Sequence, residues 1–265
     1  AQGIFQVGGQ AGGALGPLFA ALIIVQYGQS SLAWFTVAAL VNMLLMVWIV
    51  GQYSTIHMQV MAAKASGSGS LPGHRMHTPA TVLFGLVILT LLMFSKVAYV
   101  ESFRSFYTFY LIERFGVSIA TSQVMLFVFL ATQAVGVLLG GILGDRIGRY
   151  RIIWISVLGP LPLTLLLPYA GFFWTIVLTI LISLIIASAF ASILIYAIEL
   201  MPERIGLIGG LFYGLNFGLA GIAAAILGGL ADSIGIQGAY QLCSFLPLLG
   251  PLTWFLPRID DGAKR

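Results

Sequence analysis

Four charged residues, Asp145, Arg146, Arg149 and Arg151, fall within seven positions of a chain in which only 8% of residues are charged. They stand in the run from Gly141 through Gly148 to Arg151, between two long apolar stretches. A carboxylate in such a run can accept charge-assisted hydrogen bonds from an arginine or from the N-terminus of a nearby helix. Gly148 permits a tight reversal of the chain. The three arginines suit lipid phosphate headgroups. This is the chemistry of an electrostatic latch at a membrane face, holding two helices in one state and releasing them in another. A plain basic loop that only sets topology is the alternative reading.

A second set of charges lies inside an apolar segment: Lys96, Glu101 and Arg104. A charge at the bilayer centre costs at least ~2.5 kcal/mol unless it is paired or hydrated. Glu101 and Arg104 are three apart and can pair on one helical face. Lys96 and Arg104 fall within about 80° of each other around a helix. A cationic face lining a cavity suits an anionic substrate, or a carboxylate that carries a proton. Snorkelling of Lys96 and Arg104 to the membrane surface is the alternative. Tyr213 and Asn216, also three apart on a glycine-rich segment, either line a substrate path or bridge helices.

Other chemistries lack their residues. His57, His74 and His77 have no metal-ligand spacing supported by further ligands, so no metal is expected. The chain shows no phosphate-cradling loop, dinucleotide fingerprint or Ser-His-Asp pattern. The expectation is a protein that is not an enzyme, carries no cofactor and binds no nucleic acid. Cys243 is the single cysteine, so no disulfide can form within the chain, and its apolar surroundings suit a buried packing role.

The elements that must position these residues follow from composition. The chain is 60% hydrophobic, with a net charge of +4 and a mean hydropathy of +1.04. A soluble domain of this size could not cover so much apolar surface, so the bilayer is the solvent. The apolar runs are long and continuous, which favours helices over a barrel. At ~20 residues per span, eight candidates emerge, at roughly 1–25, 31–51, 80–107, 118–143, 152–170, 173–198, 205–230 and 236–256. Residues 52–79 are polar and rich in Gly and Ser, as in a flexible linker. Cations gather in that linker (Lys64, Arg75), in the Asp145 turn, near Arg204 and in the tail 258–265 (Arg258, Lys264, Arg265). The opposite side has Arg114, balanced by Glu113. The positive-inside rule places the linker, the Asp145 turn and the C-terminus in the cytoplasm. Gly228-Gly-Leu230-Ala-Asp232-Ser-Ile-Gly235 is a weaker copy of the charged turn, lacks its arginines, and reads as a helix cap and turn.

The residues Gly141, Leu143, Asp145, Arg146, Gly148, Arg149 and Arg151 resemble the signature loop of the major facilitator superfamily of transporters. In the first span, Gly3, Gly12, Gly16 and Pro17, followed by Ala20-Ala21, resemble that superfamily's antiporter motif, with alanines in place of its last two glycines. Small residues allow close helix packing, and Pro17 is expected to kink the helix. Gly13-Ala-Leu-Gly16 and Gly218-Leu-Ala-Gly221 echo each other, as parallel half-repeats would. The segments Ile4–Gly9, Ser105–Leu111, Leu167–Ala170, Ala187–Phe190, Arg204–Phe212 and Cys243–Gly250 resemble the fosmidomycin-resistance family of bacterial exporters. The resemblance implies an all-α major facilitator fold, with residues 1–51 as the last two helices of an N-terminal six-helix half. It implies 52–79 as the central linker, 80–257 as the C-terminal half and 258–265 as the tail. The expectation is a fragment of about eight spans out of twelve, with four spans upstream of Ala1. Function, on the same resemblance, is proton-coupled efflux of a small anionic drug across the bacterial inner membrane by alternating access. The partners are then the drug, protons and the lipid bilayer. An importer of sugars or organic anions and a non-transporting receptor stay open, as does the oligomeric state.

Overall fold

A computed structural model of the chain describes residues 2–65, 79–200 and 205–248. Among them there is no strand. Seven helical stretches among the described residues are long and apolar enough to cross a bilayer. The last, Gly206–Leu248, has 43 residues, about twice what a bilayer needs. Gly235 breaks it, with φ 78° and ψ 162° inside the helix α10 (Ile205–Cys243). This is where the weaker copy of the charged turn ends, and only glycine adopts that backbone without strain.

Two compact units divide the chain. Residues 22–77 form one. It contains the short α2 (Val25–Tyr27), a 3-10 turn Gln29–Leu32 and α3 (Ala33–Ala65). The Ser31 hydroxyl donates to the Gly28 carbonyl at 2.6 Å, where Gly28 has φ 79°. α3 runs on to Ala65, well past the expected span end at 51. Gln52–Ala65 contains no proline or glycine, so nothing stops the helix before the Gly/Ser run. The rest of the expected linker, 66–78, lies outside the described residues, as do Arg204 and the tail.

Residues 1–21 and 78–265 form the other unit. It holds α1 (Gln2–Phe19), α4 (Pro79–Phe115), α5 (Ile119–Ile147), α6 (Arg149–Leu158), α7 (Pro160–Leu166), α8 (Phe172–Ala187), α9 (Phe190–Leu200) and α10. From α4 to α9 the links are short because turn residues sit where they are needed. Gly116 takes φ 62°, and the Ser118 hydroxyl caps α5 by accepting from the Thr121 N–H at 3.2 Å. The Arg114 guanidinium donates to the carbonyls of Pro168 and Ala170, tying the end of α4 to the α7–α8 connection.

α4 contributes to two separate cores. Towards its C-terminus, Tyr99, Phe103, Tyr107 and Tyr110 recur at helical spacing and pack with Phe129, Ile182 and Tyr240. Phe103 stacks on Phe129 at 4.4 Å and Tyr110 on Tyr240 at 4.5 Å between ring centroids. Such pairs add about 0.5–1.5 kcal/mol each beyond their area. Towards its N-terminus, Leu89 and Leu92 pack with Ile152, Ile153, Ile193 and Ile208. Lys96 lies between the two cores.

Candidate functional site

The charged turn is built on one glycine. α5 ends at Ile147 and α6 starts at Arg149. Gly148 alone makes the reversal, with φ 94° and ψ 142°. Its N–H donates to the Gly144 carbonyl at 3.1 Å, and its carbonyl accepts from the Ile152 N–H at 3.3 Å. Asp145 and Arg146 are exposed on the last turn of α5. Arg151 is exposed on the first turn of α6, and Arg149 is half-buried. Gly141 faces open space.

The same helix carries a feature that the sequence reading passed over. Gly136, Gly140 and Gly144 repeat every four residues along α5 and face Leu184 on α8, Ser188 in the break after it and Ser192 on α9, which repeat in step. A Cβ on Gly136 would lie 2.5 Å from the Leu184 carbonyl oxygen, and one on Gly144 3.0 Å from Ser192 Oγ. At Gly140 it would overlap the Ser188 backbone. The backbones can meet only because these side chains are absent. The Ser183 hydroxyl donates to the Phe129 carbonyl across this crossing at 2.6 Å. The crossing also coincides with the interruption between α8 and α9 at Ser188–Ala189. The glycine spacing was the available signal.

α1 packs on α5 with a different face from the one its glycines suggested. Among the described side chains, Gln6 and Ala14 are buried on α1 and Ala21 in the π-helical turn beyond it, whereas a Cβ on Gly12 or Gly16 would meet nothing within 4 Å. At about 100° per residue, Gly12 and Gly16 point away from that buried stripe. Among the described residues, these two glycines make no close helix contact. Gly3 sits on the first turn, its surroundings outside the described residues. Pro17 lies within α1, and the distortion follows it as a π-helical turn at Ala20–Ile24.

The membrane charges go to separate partners. Arg104 donates to Gln10 Oε1 of α1 at 3.3 Å, and Glu101 accepts from the Ser105 hydroxyl at 3.1 Å. The expected Glu101–Arg104 pairing is thus replaced by one contact within α4 and one from Arg104 to a neighbouring helix. Lys96 sits ~18 Å along α4 from Phe84 and ~28 Å from Phe115, the ends of its 32-residue span. Its Nζ donates to Ser156 Oγ on α6 at 2.7 Å. Among the described residues Lys96 has no acidic partner at that distance.

Lys96 also lines two cavities. One encloses about 360 Å³ of empty space, open mouth included, and is walled by Met93, Val97, Phe190, Ile193, Leu194 and Phe212. The other, about 210 Å³ with its open mouth included, is walled by Ser95, Tyr99, Ser156, Pro160, Ile186 and Pro247 among others. Helices are interrupted all around it. α6 gives way to α7 at Gly159-Pro160, α8 to α9 at Ser188–Ala189, and α10 unwinds after Cys243. The carbonyls released in that unwound end are taken up by hydroxyls: Ser95 donates to Leu246 at 2.5 Å and Thr164 to Ser244 at 3.2 Å. Non-helical backbone at membrane depth is tolerated where protein groups or a cavity satisfy it. Phe212 brings α10 to the larger cavity. Asn216 is half-buried one turn further on, and the Tyr213 side chain lies outside the described residues. A lone cation beside an apolar cavity can attract an oxyanion and shelter its apolar part.

Comparison with known proteins identifies the family. The family model described as Major Facilitator Superfamily matches residues 86–265. The chain is 49% identical over 258 residues to the protein named "Fosmidomycin resistance protein" of Escherichia coli (strain K12), covering 97% of this chain and 62% of that one. It is 38% identical over 257 residues to the "Uncharacterized MFS-type transporter YfnC" of Bacillus subtilis (strain 168), with the same 97% and 62% coverage. The chain thus spans about three fifths of the length of these relatives.

Proposed function

The chain belongs to the Major Facilitator Superfamily, and from that premise we propose that it works in a proton-coupled exporter of a small anion of the fosmidomycin type. It is a multi-pass membrane protein. On this reading the membrane is the bacterial inner membrane, with the linker 52–79 and the C-terminus in the cytoplasm. Residues 1–51 belong to one six-helix half and 80–257 to the other, and the halves rock about a central site. The observation that carries the reading is Lys96: a cation at membrane depth, held by a neutral serine and open to an apolar cavity. Charges in such places mark substrate or ion paths. The resistance named for the 49% identical relative supports the substrate class, since fosmidomycin is a phosphonate and anionic at neutral pH. Glu101 is the carboxylate assigned to the proton path, and the turn Gly141–Arg151 is the latch between states.

The test is fosmidomycin accumulation in a drug-sensitive bacterium expressing the protein from its complete reading frame, with and without a protonophore. The expected result is low accumulation that rises when the proton gradient collapses, and high accumulation in both conditions for Lys96→Gln. Accumulation indifferent to the protonophore, with the protein in the membrane, removes the proton-driven export of this substrate. Accumulation above that of cells lacking the protein favours an importer.

A further inference from the structure

The Lys96 ammonium has three N–H groups and no acceptor. One N–H goes to Ser156 Oγ at 2.7 Å. Ser156 itself donates to the Ile153 carbonyl at 3.3 Å. Its single hydroxyl proton is thereby directed back along α6, and it offers Lys96 only its lone pairs. Pro160, four residues on, has no N–H, so it cannot donate to the Ser156 carbonyl as a helical residue would. Ser156 therefore presents acceptors on the wall of the smaller cavity, which it shares with Lys96. The serine is fully buried and fixed by its helix, whereas the lysine stem is long and half-buried. A four-carbon stem loses much rotamer freedom when it is held in place.

We propose that Ser156 is a positioning residue for anion recognition. It holds the Lys96 ammonium at the seam between the two cavities, with the two remaining N–H groups set to receive an oxyanion. This inference rests on Lys96 being the anion's receptor. Ser156 acts through Lys96, not by touching the substrate.

The experiment is equilibrium binding of fosmidomycin to the purified full-length protein in nanodiscs, for the wild type, Ser156→Ala, Lys96→Gln and the double variant. Loss of a hydrogen bond that orients a charged group corresponds to about tenfold in affinity. Ser156→Ala is expected to weaken binding about tenfold and Lys96→Gln at least as much. The double variant should bind like Lys96→Gln alone, because the serine has nothing left to position. If Ser156→Ala does not reach the membrane, Ser156→Cys, close in shape with a weak acceptor sulfur, takes its place. Unchanged affinity in the serine variant, or losses that multiply in the double variant, overturns the inference while leaving the anion reading intact. A wild-type protein that binds no fosmidomycin removes the substrate reading and this inference with it.

Discussion

Gly140 and Gly141 are neighbours in the same motif-bearing helix, yet alanine should affect them in opposite directions. A Cβ on Gly140 would overlap three backbone atoms of Ser188, while one on Gly141 would meet nothing within 4 Å. The milder case of Gly136 sets the scale: its Cβ would sit 2.5 Å from the Leu184 carbonyl oxygen. Ordinary non-bonded separations are about 3.5 Å. α5 and the α8–α9 pair would have to part by roughly 1 Å at Gly136 on that basis, and by more at Gly140. A gap of that size forfeits a quarter to a half of each dispersion contact along the seam. It would also stretch the Ser183–Phe129 hydrogen bond. Overpacking of this kind costs about 1–3 kcal/mol. Helix propensity returns about 0.5–1 kcal/mol of that, since alanine is the better helix former. Gly140, the more severe overlap, belongs at the upper end of that cost, so the net for Gly140→Ala is a loss of about 1–2.5 kcal/mol, whereas Gly141→Ala retains only the propensity gain. In thermal unfolding of the full-length protein in mild detergent, Gly140→Ala should melt about 1–5 °C lower, since the shift per kcal/mol falls below about 2–4 °C for a chain longer than about 250 residues. Gly141→Ala should match or slightly exceed the wild type. Equal melting temperatures for the two variants would refute the close crossing.

The Tyr107 hydroxyl and Thr179 Oγ1 lie 3.1 Å apart and both residues are buried. Tyr107→Phe and Thr179→Val should each cost about 1–3 kcal/mol by stranding the other hydroxyl, and the double variant should recover much of the loss. Thermal denaturation of all four proteins checks this, and purely additive losses would remove the hydrogen bond from the account. For Asp145→Asn the expectation is normal membrane insertion with export lost, measured by membrane fractionation alongside drug accumulation. Export at the wild-type rate would reduce the turn to a topological signal.

Much of the architecture was legible because the bilayer imposes a one-dimensional rule. Each span needs about twenty apolar residues with its backbone bonds closed within itself, so runs of Leu, Ile, Val and Phe could be counted. Gly148 and Gly235 were legible as turns for a similarly local reason: both take the positive φ that side chains resist. The apolar span of α3 ends at Val50, close to the expected 51, while the helix itself runs on to Ala65 because Gln52–Ala65 is less apolar without being helix-breaking. Gly136, Gly140 and Gly144 show their spacing in the sequence, but not which helix they meet.

The sites depended on contacts that no local pattern carries. Lys96 was a visible anomaly, yet Ser156 lies 60 residues away in an apolar stretch where one serine looks like any other. Arg104 had Glu101 three residues away and still turned to Gln10, 94 residues distant. The sequence by itself determined that this chain lives in a membrane as a set of helices, and where its turns and stray charges fall, because hydropathy and backbone sterics act locally. Only the tertiary structure decided which neighbour each buried polar group satisfies. Away from water such a group must find a partner on whatever helix packs beside it, and packing is settled by the whole chain at once.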